Sequence, residues 1–246
     1  MIGLLGCYRA DPAAAVDIAA MLASVADSLT AESITMGGGA FARVAHGPGR
    51  SGSLAREGDF SVLLCGEIFN LESFDDLDTT PDSAAELLLQ LAKRYQLDRL
   101  GAVNGQFSAA VYDRGAHRLS LITDRLATFP LHFWQGSGEL VFATQLFTLI
   151  ANPRVPRRAD GEALAQLFTM QRTIGRSTPL AGVKAMPAAC IMEIDASGQR
   201  ERHYWKLAWR ERDFSLREGA GLLAGAMRNA LIRQTKGARV GLLLSG

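Results

Sequence analysis

Three cysteines, Cys7, Cys65 and Cys190, are the thiols of this 246-residue chain. A thiolate can attack an amide carbon when a base takes its proton. The three are too few and too scattered for a disulfide framework or a zinc site. Four histidines, His46, His117, His132 and His203, are widely spaced and have no acidic partner in helical register, so no metal centre is expected. Gly37-Gly38-Gly39 reads as a turn, because no helix with a basic residue follows it to cradle phosphate. Leu244-Ser245-Gly246 is of a different kind. It ends a continuous apolar run, and Ser-Gly at the carboxyl end of a strand places backbone N–H groups where a pyrophosphate can sit. Alone, such a dipeptide carries little weight. Asp124-Arg125 is expected to be a structural ion pair near a hairpin end, and Arg157-Arg158 a solvated pair. Trp134, Trp205 and Trp209 are expected as core or domain-interface anchors.

The elements that must hold these residues follow from pattern. Residues 1–8 read as a buried strand. Asp11-Pro12 suits a helix start, giving an expected helix over residues 12–29. Residues 33–44 read as a strand pair broken by the glycine run, and residues 46–58 as a polar, glycine-rich loop. Residues 60–69 are strand-like. Residues 84–95 form a strong amphipathic helix, with Lys93-Arg94 suiting its C-terminal dipole. Hairpins follow at 106–112 with 118–124, at 131–134 with 140–143, and at 189–194 with 201–205; residues 160–170 are helical. The expected fold class is α+β, an α/β/β/α sandwich of antiparallel sheets.

After Trp205 the character changes. Residues 214–235 form a long amphipathic helix, and residues 239–244 a short apolar strand of the kind buried on both faces of a parallel sheet. We therefore expect two domains, residues 1–209 and residues 210–246, the second being the opening of a larger one.

Composition excludes several classes. Twenty-six basic against 25 acidic residues leave a net charge of +1, no basis for binding nucleic acid or an anionic membrane. With 48% hydrophobic and 21% charged residues the chain has a globular balance. No apolar run approaches the roughly 18 residues a membrane span needs. No signal peptide is visible, and a cytoplasmic protein is expected.

The motifs, taken in order, resemble the asparagine synthetase family. Cys65-Gly66-Glu67-Ile68-Phe69-Asn70 is similar to the family's N-G-E-I-Y-N strand. Residues 100–109 resemble its L-x-G-x-F-A run, and residues 121–131 its L-x-R-D-x-x-G-x-x-P-L segment. Phe142-Ala143-Thr144-Gln145 is similar to F-A-S-E, and His203-Tyr204-Trp205 to the Y-W closing the first domain. Val240 to Gly246 resembles the strand entering S-G-G-x-D-S. The resemblance implies an N-terminal-nucleophile glutaminase domain, followed by a synthetase domain that adenylates a carboxylate with ATP and Mg²⁺ before an amine attacks.

In that family the glutaminase nucleophile is a cysteine at the second encoded position, whose own α-amino group is the base. An amine with a pKa near ~8 can take and return a proton at neutral pH. Here the position holds Ile2, which offers no nucleophile and whose bulk blocks removal of Met1. Cys7 lies inside the first strand and is expected to be a buried core residue. Cys65 replaces the oxyanion-hole asparagine, and a thiol is a poor donor; loss of one such donor costs ~10²–10³ in rate. Gly66 and Glu67 match. The aspartate that binds the α-ammonium of glutamine falls on Ala84; Asp82 could serve only after a shift of its loop. The G-H-x-R-L arginine has no clear counterpart, with Arg50 or Arg56 as partial stand-ins.

The resemblance thus implies an ATP-dependent amide ligase whose first domain is a non-catalytic scaffold. Its ATP loop would begin at Leu244, Ser245 and Gly246. The substrate would be a small-molecule or peptide carboxylate, and a homodimer is admitted. The favoured specialisation is a lasso-peptide or lactam-forming cyclase, whose substrate brings its own amine. An asparagine synthetase using free ammonia is the alternative. A stand-alone binding or regulatory domain is the competing reading.

Overall fold

The computed structural model describes residues 3–25, 29–45, 52–74, 77, 79–209, 211–236 and 240–241. The chain divides into two compact units, residues 1–206 and 207–246.

In the first unit the elements run β1 (Gly3–Arg9), α1 (Ala19–Ala23), β2 (Thr30–Met36), β3 (Gly39–Ala45), β4 (Gly52–Glu57), β5 (Phe60–Ile68) and α2 (Ala84–Tyr95). There follow β6 (Gly105–Asp113), β7 (Arg118–Thr123), β8 (His132–Gly136), β9 (Glu139–Ala143), α3 (Leu146–Ala151), α4 (Gly161–Met170), β10 (Val183–Ala185), β11 (Cys190–Asp195) and β12 (Gly198–His203). Two six-stranded sheets form, in the orders β10-β8-β9-β1-β3-β2 and β12-β11-β7-β6-β5-β4. Within each sheet every ladder among the described residues is antiparallel.

Alternation along the strands sets the layers. Leu4 and Tyr8 of β1, Phe41 of β3, Leu63 and Cys65 of β5, and Ala110 and Tyr112 of β6 fill the space between the sheets. Leu5 and Cys7, the intervening residues of β1, face α1 and α3. Val62, Leu64, Ala109 and Val111 face α2. The result is an α+β sandwich with helices outside both sheets.

The α2 helix is the best-anchored outer element. Ser83 caps it, its Oγ accepting from the Glu86 N–H at 3.2 Å, while the Glu86 carboxylate accepts from the Asp82 N–H at 2.7 Å. Leu87, Leu88, Leu89 and Leu91 are buried on the sheet, each contributing about 1.5–3 kcal/mol. Gln96 ends the helix in the left-handed conformation, φ 47°.

Several expectations need correction. The helix expected over residues 12–29 is only the five-residue α1. Asp11 uses its carboxylate on the Ala13 N–H (2.9 Å) and closes a turn with Ala14, so the chain does not propagate a helix from there. The alanines that follow carry no apolar bulk to hold one. The loop expected over residues 46–58 contains β4, paired with β5 from Gly52↔Cys65 to Glu57↔Phe60. The ladder outweighs the low strand propensity of Gly52 and Ser53; residues 46–51 lie outside the described residues. The Asp124–Arg125 ion pair does not form. Asp124 is buried and accepts from backbone donors, while Arg125 donates to the Gly101 carbonyl (2.7 Å) and lies over the Trp205 ring.

The glycine run is a tight turn between β2 and β3, and Gly38 takes φ +70°. A side chain there would meet the carbonyls of Arg9 and Asp11. Arg157 and Arg158 are both exposed. Trp134 packs on the core outside β8 and β9, and Trp209 is exposed.

The second unit holds α5 (Leu216–Thr235), opened by a capping box between Ser215 and Glu218. Leu222, Leu223, Met227 and Leu231 are exposed along it. Of the strand expected at 239–244, Val240 and Gly241 are described and are not in a strand. Among the described residues no helix is long and apolar enough to cross a membrane.

Candidate functional site

Cys65, Gly66 and Glu67 lie together at the end of β5. Cys65 is fully buried between the sheets and pairs with Ser108 of β6 and Gly52 of β4. Burial pushes its thiol up to about 12; the nearby charge of Arg43 pulls the other way with less effect. At neutral pH it is a neutral thiol, a weak donor and a poor nucleophile.

Gly66 has φ +109°, a conformation that favours glycine. Any side chain would also collide with the Gln106 carbonyl on β6. Glu67 is half-buried and pairs with Gln106 in the β5–β6 ladder; its carboxylate has no hydrogen-bond or ion-pair partner among the described residues.

Ala84 is the first residue of α2. It packs against the core on the far face of β5 and β4, so its sheet face is opposite that of Cys65. Asp82 is exposed, with its backbone tied to Glu86. Neither position presents a buried carboxylate for an ammonium group. Arg56 lies on β4 and donates to the Ser33 carbonyl of β2 at 3.1 Å. Ile2, Arg50, Leu244, Ser245 and Gly246 lie outside the described residues.

Cys7 is no substitute nucleophile. It faces α1 and α3, away from the inter-sheet layer. Asn152 donates to its sulfur at 3.2 Å, and burial pushes the thiol up to about 12. Cys190 is likewise buried, its thiol raised to about 11.

The row containing Cys65 continues across the sheet as Ser108, Thr123 and Cys190. Thr123 is satisfied: its hydroxyl donates to the Pro187 carbonyl at 2.6 Å and accepts from the Cys190 N–H at 3.2 Å. Ser108 has a buried hydroxyl with no partner among the described residues. In the facing sheet Leu4 pairs with Arg43, and Arg43 pairs with Glu32. Arg43 was not among the residues singled out by sequence. The signal was available: it is the one charge in the otherwise apolar strand 39–45, at the same alternation as Phe41.

Asp124 braces this end from below. Its carboxylate accepts from the N–H groups of Phe107 (3.1 Å), Leu126 (2.8 Å) and Thr128 (2.9 Å), and from the Thr128 hydroxyl (3.3 Å). These bonds fix the start of β6, where Gly66 and Cys65 find their partners. Among the described residues no three His, Cys, Asp or Glu side chains come together as metal ligands would.

Comparison with known proteins identifies the frame around this site. A family model for the glutamine amidotransferase domain matches residues 1–205. The carboxyethyl-arginine beta-lactam-synthase of Streptomyces clavuligerus is 32% identical over 192 residues, covering 76% of this chain and 35% of that protein. Asparagine synthetase [glutamine-hydrolyzing] 2 of Bacillus subtilis is 24% identical over 184 residues, covering 70% of this chain and 24% of that protein. The chain thus spans about a third or less of these two relatives. Among solved structures, the glutamine phosphoribosylpyrophosphate amidotransferase of B. subtilis, complexed with ADP and GMP, superposes with a TM-score of 0.52 at 15% identity. It covers 82% of this chain and 49% of that one, and it is similar in fold alone.

Proposed function

We propose a function from one established fact: this chain belongs to the glutamine amidotransferase domain family, in the form that asparagine synthetases carry. From it we infer an amidotransferase domain that no longer splits glutamine, within an ATP-dependent amide ligase. The observation that carries this reading is Ile2, a hydrocarbon at the position where the family places its nucleophile. The surrounding residues agree with it. Cys65 offers a buried neutral thiol in place of an amide donor. Ala84 cannot bind an ammonium group. Cys7 is buried on the wrong face of β1.

A domain that releases no ammonia suits a ligase whose substrate carries its own amine. The favoured specialisation is closure of a lactam or of a lasso-type macrolactam. The likeness to a protein named as a beta-lactam synthase supports it. Asparagine synthesis from free ammonia is the second reading, supported by the asparagine synthetase relatives. ATP and Mg²⁺ would be held by residues from Leu244, Ser245 and Gly246 onward; the reading of the first unit does not depend on them. The proposed setting is the cytoplasm, where Cys7, Cys65 and Cys190 stay reduced.

Glutamine supplied to this chain should yield no glutamate above the uncatalysed background. Glutamate release with saturable kinetics would overturn the non-catalytic reading. For the parent ligase, ATP-dependent loss of one water from a substrate carrying both amine and carboxylate marks a cyclase. Asparagine formed from ammonia marks the alternative.

A further inference from the structure

On the outer face of β1 three side chains meet at one point. Cys7 is fully buried, and its Sγ lies 3.7 Å from the Sδ of Met21 on α1. The carbonyl of Asp17 accepts from the same thiol at 3.7 Å. Asn152, at the end of α3, points its amide nitrogen at both sulfurs, 3.2 Å from Cys7 Sγ and 4.0 Å from Met21 Sδ. That orientation is fixed, because Asn152 Oδ1 accepts from the Arg154 N–H at 2.9 Å. The cluster borders a cavity of about 280 Å³, whose walls include Asp17, Met21 and Asn152, the same residues that touch the Cys7 sulfur. Glu139 also lines the cavity, with its carboxylate buried and engaged by Arg154, which leaves the two sulfurs as the soft ligands there.

We propose that Cys7 and Met21 bind one soft monovalent metal ion, of the Cu(I) and Ag(I) class, which enters from this cavity. A thiolate and a thioether together select such ions, whereas hard cations favour oxygen. Two sulfurs bound to one ion through bonds of ~2.3 Å stand at most ~4.6 Å apart, and closer when a third ligand bends the pair. The observed 3.7 Å lies within that reach. On binding, the S–H bond of Cys7 breaks, the sulfur's electron pair forms the bond to the metal, and the proton leaves to water; nothing is oxidised or reduced. The Asp17 carbonyl, released from the thiol proton, is placed to be the third ligand. The Asn152 N–H then donates to the thiolate and holds it toward the ion. A thiolate and a monovalent ion cancel in charge, so the apolar layer keeps no net charge; a divalent ion would leave one. The site lies on the opposite face of β1 from the inter-sheet layer and stands whether or not the domain hydrolyses glutamine.

The test is thermal unfolding of the whole chain with one equivalent of Ag(I) nitrate in buffer free of chloride and added thiol, against Zn(II) nitrate. Ag(I) should raise the midpoint by roughly 5 °C and Zn(II) should not. Cys7→Ala should abolish the rise, and Cys65→Ala with Cys190→Ala should leave it in place. Met21→Leu keeps the volume of the core, and should weaken Ag(I) binding at least about tenfold in competition with a soluble thiol. A midpoint lowered by Ag(I) would show that the metal prefers the thiols of the unfolded chain, and the native site would be refuted. A rise that survives Cys7→Ala, or an equal rise with Zn(II), would also overturn it. Should Cys7→Ala not fold, Ag(I) binding as tight in Met21→Leu as in the original chain decides against the site in its place, since Met21 would then be a core neighbour and no ligand.

Discussion

Along β1, β3, β5 and β6 the inter-sheet layer runs from Leu4, Arg43, Cys65 and Ser108 at one end to Tyr8, Tyr112 and the His117 turn at the other. The strands are the same, but the polar atoms fare differently. At the tyrosine end, the Tyr8 hydroxyl donates to the His117 carbonyl at 2.6 Å. The Tyr112 hydroxyl lies 2.6 Å from His117 Nδ1 and 3.2 Å from the Gly37 carbonyl, and His117 Nε2 lies 3.1 Å from the Arg9 carbonyl. The rings of Tyr8 and Tyr112 meet edge to face at 6.3 Å. At the Cys65 end, Arg43 Nη1 and Ser108 Oγ are buried with no partner among the described residues. Native cores leave few such atoms, and those that remain ask for an explanation beyond stability. One end is a clasp; the other keeps polar atoms that nothing among the described residues satisfies.

The comparison breaks most easily at Asp124, which should be the strongest support of the Cys65 end. Asp124→Ala orphans three backbone N–H groups and the Thr128 hydroxyl. It should cost about 3–5 kcal/mol in urea unfolding. A loss below ~1 kcal/mol would mean that this end is loosely held throughout, and that its unpaired atoms reflect slack rather than chemistry.

Alkaline pH separates the two ends by titration. Burial raises the Cys65 thiol from its ordinary 9.0 to about 12, as it does that of Cys7. The unfolded chain therefore ionises first. This contribution to stability is complete below pH 9.0 and is lost as pH rises toward 12. Burial also raises Tyr8 and Tyr112 above their ordinary 10.0, so their share begins to be lost above pH 10.0, after that of the thiols has begun to fall. Under reducing conditions, the urea midpoint should begin to fall above pH 9, and Cys65→Ala should lessen that first part of the slope, the rest coming from Cys7 and Cys190. Tyr8→Phe should flatten the later part. A midpoint that stays level until the tyrosines titrate would show the Cys65 end to be open to water.

Much of this was legible in the chain. Residues 60–69, 106–112 and 118–124 could be read as strands, because both faces of β5, β6 and β7 are buried and leave mostly apolar runs between turn residues. The apolar side of residues 84–95, with Leu87, Leu88 and Leu91, marked α2; its cap by Ser83 was not singled out. What escaped notice depended on partners distant in sequence. β4 is made by its ladder to β5, and its glycine and serines hide it. Asp11-Pro12 has the form of a helix start, yet the aspartate finds a nearer N–H. Asp124 and Arg125 are adjacent in sequence, but the strand turns them to different partners. For the site, Cys65, Gly66 and Glu67 could be found from their order. Arg43 could not be valued without knowing that its nearest carboxylate satisfies only part of it.

On the tyrosine side, Tyr112→Phe removes a hydroxyl serving both His117 and Gly37. It should cost about 1–2 kcal/mol, measured by urea unfolding at pH 7. The same truncation made for Gly37 alone would cost less, so the size of this loss reports how far the His117 turn depends on the clasp.

The smallest effect is the sharpest test. Ser108→Ala deletes a hydroxyl that is buried and, among the described residues, unpaired. A polar atom without a partner gives nothing back for its lost hydration, so its removal should change stability by no more than ~0.5 kcal/mol, or raise it. Tyr112→Phe removes one oxygen from the same layer and should cost several times more. If the two substitutions cost the same, Ser108 has a partner as good as that of Tyr112, the ends of the layer are equally satisfied, and the contrast between them loses its physical basis. If Ser108→Ala is neutral while Tyr112→Phe is not, the contrast stands, and the hydroxyl of Ser108 adds nothing to the fold.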